Sequence, residues 1–527
     1  MDRFDYDDSS LLFAYGDRVI LMRLSLLAAV TLLAACGTAG SVCGCDDSCD
    51  ATLTCTSTTT TTTSAPTCAA DPADGDVAPD CGIWVSATLG DDANPGTQDA
   101  PVKTLQRGVD LAGSGGRVYA CAETYFDGVE IPAGVSLNGG WLCQNGWEVA
   151  TKKQRATIAP VHDVIPVVLT AGDGTSILSD LVVRAADAQT AGGSSIALWA
   201  GDDSAAEIRR SLLEAGAGAR GDDGKIGGSD PAANGVPGLP GAGACTAAIG
   251  AGGLAPVTTC DGLDASGGGI GGDGSDAFAN SGGTGTPNLG GGIGGKGEQA
   301  APQCTDGTNG AHGPDGEDGI GAAAGGTLTM SAFVGADGVE GKPGAHAQGG
   351  GGGGASYGGI GCGPFPKGGA GGGSGGSGGC GGRAGRGGGG GGASIALASR
   401  SSGVSLVSVQ LVAKKGGVGG NGGSGQTGGN GGLPGKGGEG YASQQPINHG
   451  CNGGFGGNGG RGGNGGGGAG GPSIGIAHLF GAAPAQKDVV IEVGQGGEGG
   501  LGGVPGEPSL VGEPGKSAQV LELGSGG

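Results

Sequence analysis

The chain has 527 residues, of which 137 are glycine and 3% are aromatic, and it carries a net charge of −23. A single large close-packed core is excluded, because glycine brings no side chain to bury and aromatic rings dominate core burial. The acidic balance argues against nucleic acid as a partner, since neutralising phosphate takes Lys and Arg. The Arg-Gly-Gly triplets at Arg386 and Arg461 read as arginine within a glycine repeat.

Residues 1–35 read as an export region. Met1 to Leu21 carries Asp2, Asp5, Asp7, Asp8 and Asp17, which is wrong for the basic start of a signal peptide. From Met22 the pattern fits: Arg23 is basic, and Leu24 to Leu33 is apolar but too short to span a bilayer. Translation is therefore expected to start at Met22. Leu33-Ala34-Ala35-Cys36-Gly37 resembles the bacterial lipobox. That resemblance implies acylation of Cys36 and an anchor of three acyl chains, which holds stably where one would not.

Residues 36–80 form a Cys-rich segment and a stalk. Removing Cys36 from the 15 cysteines leaves an even number in an exported chain, which implies up to seven disulfides. Cys43, Cys45, Cys49, Cys55, Cys68 and Cys81 cluster near the start. Disulfides are preferred to a zinc site there, because the cluster has no His and its Cys-x-Cys spacing matches no familiar finger. Thr56 to Ser64 reads as an extended stalk, either O-glycosylated or bare.

Residues 81–215 are strand-rich. Ile83-Trp84-Val85 is strand-like, Gly90 to Thr97 is turn-rich, and Leu105, Val109, Leu111 and Ala112 predict a short amphipathic helix. Short apolar runs then recur, among them Val118-Tyr119, Val135-Leu137, Val167-Leu169, Leu181-Val183 and Ile208-Leu212, each bounded by turn residues. Such strands suit a β-helix with coils of about 20 residues. The order Val85-Ser86, Gly90-Asp91-Asp92, Asn94-Pro95-Gly96-Thr97, Pro101 and Lys103-Thr104-Leu105-Gln106 resembles the opening of the DUF1565 family. Members of that family are right-handed parallel β-helices related to the pectin-lyase fold. The resemblance spans roughly residues 83–215 and implies a fold, with little said of activity. Cys121 and Cys143 lie 22 residues apart, about one coil, so a disulfide between in-register neighbours is predicted.

Residues 216–527 interleave glycine tracts with strand-like islands at Thr327–Val334, Ala393–Val412, Ser473–Val493 and Ala518–Leu523. Three islands begin alike: Ser195-Ile196-Ala197-Leu198, Ser394-Ile395-Ala396-Leu397 and Ser473-Ile474-Gly475-Ile476. One all-β solenoid with large insertions is the expectation. From Gly416 the tract reads GGV GGN GGS GQT GGN GGL PGK GGE, a period of three. That period suits polyproline-II winding, with bare faces packing together and each third residue pointing outward. Disorder is the rival, and collagen is disfavoured by broken phase and only 25 Pro. The composition is similar to that of PGRS-type glycine-rich proteins. Cys245, Cys260, Cys304, Cys362, Cys380 and Cys451, an even six with pairing open, favour order.

Chemistry-bearing patterns are sparse. Carboxylates at Asp163, Asp173, Asp180, Asp187, Asp202 and Asp203 could serve a polysaccharide-cleaving face, but their contexts favour turns. Gly271 to Ala279 matches one copy of the calcium nonapeptide, which makes Asp273 and Asp276 candidate ligands, but the next nine residues lack carboxylates and no metal site is expected. Arg220-Gly221-Asp222 spells an attachment tripeptide that this composition produces cheaply. The histidines at 162, 312, 346, 449 and 478 show no ligand spacing, and no Gly-rich loop is followed by a phosphate-cradling Lys-Ser/Thr. The expectation is a non-catalytic, lipid-anchored envelope protein of the outer membrane or cell surface, without a cofactor. Its work would be structural or adhesive, toward polysaccharide or other envelope proteins. The alternatives are a pectin-lyase-like enzyme and a calcium-binding surface module.

Overall fold

In a mostly β chain, short runs of β-branched and aliphatic residues pair side by side into three large open sheets, and two small sheets of two and three strands accompany them among the described residues. The computed structural model describes residues 68, 71–74, 77–150, 154–261, 264–298, 302–329, 332–479 and 483–525. The export region, Cys36, Cys43, Cys45, Cys49, Cys55 and the Thr-rich stalk lie outside those residues.

The first sheet runs in the order Ile83–Val85, Arg117–Cys121, Ser136–Leu142, Ser176–Ser179, Ala205–Arg209, Gly403–Val407 and Ala485–Lys487. The second runs from Thr124–Tyr125 through Ala156–Ile158, Leu181–Arg184, Leu212–Glu214 and Gln410–Ala413 to Val490–Val493. The third runs from Val129–Pro132 through Val167–Thr170, Ser195–Ala200, Ser394–Ser399 and Ser473–His478 to Ser517–Glu522. Neighbours along each of these paths are parallel. From Ser195 the chain visits third, first and second sheet in turn, and repeats that order from Ser394 and again from Ser473.

The three similar islands lie directly beside one another. Ser195, Ile196 and Leu198 pair with Ser394, Ile395 and Leu397, which pair with Ser473, Ile474 and Ile476. Since side chains alternate faces along a strand, this register stacks Val129, Val167, Leu198, Leu397 and Ile476 into one buried aliphatic column. Ile158, Val183, Leu213 and Leu411 from the second sheet and Leu137, Leu178, Ile208 and Leu406 from the first complete the core.

Helix Leu105–Ala112 covers one end of this core with Leu105 and Val109, while Leu111 is exposed. Its start is fixed by chemistry: the Thr104 hydroxyl accepts the Arg107 amide, and Asp92 accepts from the amides of Lys103 and Thr104. Burial opposes the charge on Asp92, but these donors hold its carboxyl below the usual carboxylate range.

Two expectations are corrected. Thr327–Val334 does not join the three sheets: Gly326–Leu328 and Phe333–Gly335 form an antiparallel hairpin. Leu328 and Phe333 of that hairpin cover the outer face of the third sheet, packing with Ile196, Trp199, Ile395 and Ile474. The residue beside Cys121 is Trp141, not Cys143. The disulfide Cys121–Cys143 closes two residues later, in the turn that follows the strand.

All four tryptophans are buried. Tyr119, Trp141 and Trp147 gather around Trp84 of the first sheet, with ring centroids 4.8, 5.0 and 4.7 Å from it. Beside them the segment ending at Cys81 is strapped down by the Cys68–Cys81 disulfide and by Asp71. Asp71 is fully buried and is held by Arg209 and Arg210 at 3.0 and 2.8 Å.

Candidate functional site

Glycine tracts leave the sheets after residues 215, 413 and 493 and pack against one another as ordered segments, so the disordered alternative does not hold for them. Backbone donors recur at every third residue. Residues 371–392 run through the middle. Their amides at Gly373, Gly376, Gly379, Gly382 and Gly385 donate to Cys451, Gly454, Gly457, Gly460 and Gly463. On other sides Gly429, Gly432 and Gly435 donate to Cys380, Ser377 and Ser374, and Gly344, Gly350 and Gly353 donate to Gly382, Gly376 and Gly373.

Glycine is required because the backbones touch. A Cβ on Gly468 would stand 2.1 Å from the Gly389 carbonyl oxygen, and one on Gly392 would stand 1.7 Å from that of Gly193. The expectation that each third residue points outward holds only at the periphery. In the central segment Ser374, Ser377 and Cys380 are buried. Their neighbours leave no solvent side, so small polar groups occupy the position and bond inward. The Ser374 and Ser377 hydroxyls accept from the amides of Leu239 and Val236.

Peripheral side chains supply acceptors in the same period. Asp306, Asn309, His312, Asp315 and Asp318 accept the amides of Asn452, Phe455, Asn458, Arg461 and Asn464 at 2.7–3.0 Å. On the far side of that segment Asn452, Asn458 and Asn464 accept from Gly437, Gly431 and Gly425. The same step sets Phe455, which offers no acceptor, opposite Pro434, which has no amide hydrogen to satisfy. Nothing in the bare count of glycines signals this pairing; the Asp, Asn and His at three-residue spacing from 306 to 318 do.

Three disulfides staple the tracts: Cys245–Cys362, Cys260–Cys380 and Cys304–Cys451. Cys260, Cys380 and His346 bring their ligating atoms within 4.8 Å of one another, the one such gathering of three His, Cys, Asp or Glu groups among the described residues.

The six aspartates of the strand-rich part do not converge. Asp180 pairs with Arg210 at 2.6 Å and Asp202 with Arg400 at 3.1 Å. Asp163 accepts from the Gln189 amide and the Thr190 hydroxyl, and these bonds hold its carboxyl below the usual range. Asp187 is lowered by the Ala217 amide, with Lys414 nearby. Asp163, Asp180 and Asp203 adopt positive φ, as turn residues do; Asp173 is exposed.

In the nonapeptide, Asp273 accepts the Gly252 amide at 2.7 Å, and Asp276 is exposed. Neither belongs to the gathered group. Arg220 is tied to Asp223 at 2.5 Å rather than free beside Asp222, and this bond lowers the Asp223 carboxyl. Asp222 instead lines an open cleft of about 450 Å³ with Lys225, Val334, Asp337 and Arg386. His312, His346 and His449 each accept a backbone amide at Nδ1. His478 is buried in its strand.

Compared with known proteins, the chain matches no family model, no curated protein and no solved structure.

Proposed function

We propose that this chain is a non-catalytic cell-envelope lipoprotein, anchored through acylated Cys36, that presents a rigid glycine bundle for structural or adhesive contact at the cell surface. In this reading the three parallel sheets are the walls of a right-handed parallel β-helix. The fixed order in which the chain visits them supports that geometry, as does the resemblance of residues 83–215 to the DUF1565 family. The glycine segments are polyproline-II helices, in keeping with hydrogen bonds that recur every third residue.

The observation that carries the adhesive reading is what the lattice displays. Large apolar side chains stand exposed on backbone-locked segments: Leu239, Ile320, Leu433 and Phe455 are 48%, 63%, 61% and 49% exposed. Exposed apolar groups on a rigid frame favour association, because little conformational freedom is left to lose on contact. The partner is an extracellular polysaccharide or another envelope protein.

The test replaces these four residues with Ser in cells carrying the full chain. Adhesion is expected to fall severalfold while melting and disulfide pattern stay unchanged; unchanged adhesion contradicts the reading. Cys36→Ser is expected to move the protein from the membrane to the soluble fraction.

A further inference from the structure

Cys260 ends the strand Val257–Cys260, and Cys380 lies in the central glycine segment; both sulfurs are buried. His346 lies on the neighbouring segment, whose amides at Gly344 and Ala347 donate to Gly382 and Gly379, on either side of Cys380. Three separate stretches of chain thus deliver two sulfurs and one imidazole to a single point. A disulfide needs only the two sulfurs. The imidazole completes a donor set of Cys, Cys and His, which with an open fourth position is the set a tetrahedral zinc ion takes.

We propose that Cys260, Cys380 and His346 form a redox-gated site for Zn²⁺, closed as a disulfide and open as a dithiol. Opening takes two thiols of a reductant. They give two electrons to the Cys260–Cys380 bond, which breaks; the reductant closes its own disulfide, and each cysteine sulfur receives a proton. Zn²⁺ then displaces both thiol protons and binds two thiolates and the imidazole, with water in the fourth position. The sulfurs need part only to roughly 3.8 Å, the edge of a tetrahedron with bonds of ~2.3 Å.

The ring carries a built-in reporter. His346 Nδ1 accepts the Gly381 amide at 3.0 Å. If Nδ1 binds the metal, its lone pair is taken. If Nε2 binds, a neutral ring must carry its hydrogen on Nδ1. Either way Gly381 loses that acceptor, so zinc should quicken exchange at Gly381.

The full chain, reduced by a phosphine under native conditions, is titrated with Zn²⁺ against a chromophoric chelator and followed by amide exchange. The reduced protein is expected to bind one more zinc than Cys260→Ser/Cys380→Ser, and the peptide holding Gly381 is expected to exchange faster only with zinc. His346→Gln, which keeps the disulfide and so the fold, is expected to weaken that site at least tenfold. Equal zinc binding by the reduced protein and the double variant, or by His346→Gln and the parent, would overturn the proposal. Unaltered exchange at Gly381 with zinc bound would do the same.

Discussion

Asp315 Oδ1 accepts the backbone amide of Arg461 at 2.7 Å, and the amide of the next residue, Gly316, returns to the Arg461 carbonyl at the same distance. The exchange repeats one triplet earlier and one later, so the two segments are joined by paired bonds at each step. One bond of each pair is backbone to backbone and survives substitution. The other depends on the side chain.

That division sets the first expectation. Asp315→Ala removes one side-chain acceptor and should cost about 1 kcal/mol. Asp318→Ala should cost more, about 2 kcal/mol, because Asp318 also accepts the Asn464 side-chain amide at 3.0 Å. Denaturant unfolding of both variants measures the order; equal and negligible losses would show the side-chain ladder to be idle.

Close approach of backbones sets the second. Gly468→Ala places a methyl 2.1 Å from the Gly389 carbonyl oxygen, where nothing flexible can give way. A loss of at least about 1–3 kcal/mol follows from such overpacking. Gly524, whose Cβ position is open, should accept Ala within about 0.5 kcal/mol. Thermal melts of the two variants decide between packing and a general intolerance of non-glycine residues.

The strap at Asp71 gives a pH dependence. Burial alone would raise the Asp71 carboxyl, but hydrogen bonds from Arg210, the Ala73 amide and Arg209 outweigh it and leave the carboxyl below its ordinary value. A carboxyl lowered in the folded state adds stability that is complete above its unfolded value of ~3.9 and is lost as pH falls through the folded value. Unfolding followed from about pH 5 downward should show this loss, and Asp71→Asn should flatten it. At neutral pH the same variant should cost about 3 kcal/mol, because it leaves two arginines without their shared partner.

Loop length orders the staples. Cys121–Cys143 spans 22 residues and Cys245–Cys362 spans 117. Constraint of the unfolded chain should make removal of the longer bridge cost more, about 4–5 kcal/mol against about 3. Double Ser variants compared by denaturation test the order, and peptide mapping without reductant tests the pairing.

The sequence showed the strands more clearly than the bundle. The Ser-Ile-Ala-Leu starts at 195 and 394 and Ser-Ile-Gly-Ile at 473 announced a shared register, because inward aliphatics at period two must stack to be buried. The helix at Leu105–Ala112 was legible from its apolar spacing. The hairpin at Gly326–Gly335 was not, since an isolated apolar run carries no sign of which face it will cover. Nor was the pairing of the six late cysteines, because spacing along a glycine tract says nothing about which segment lies beside it. The inward serines at 374 and 377 were hidden for a related reason: a three-residue period fixes the faces of a segment, while its neighbours decide which face meets water.

Backbone hydrogen bonds between glycine segments hold the bundle together, and amide exchange over residues 371–392 of the oxidised, full-length protein tests this most directly. Most amides there donate to carbonyls on adjoining segments, and Gly378, Gly381 and Gly390 donate instead to the Ser266 hydroxyl, His346 Nδ1 and the Asp337 carboxylate, so protection comparable to that of strand Ser394–Ser399 is expected. Exchange in 371–392 as fast as in an unfolded peptide, with the strand still protected, would contradict it.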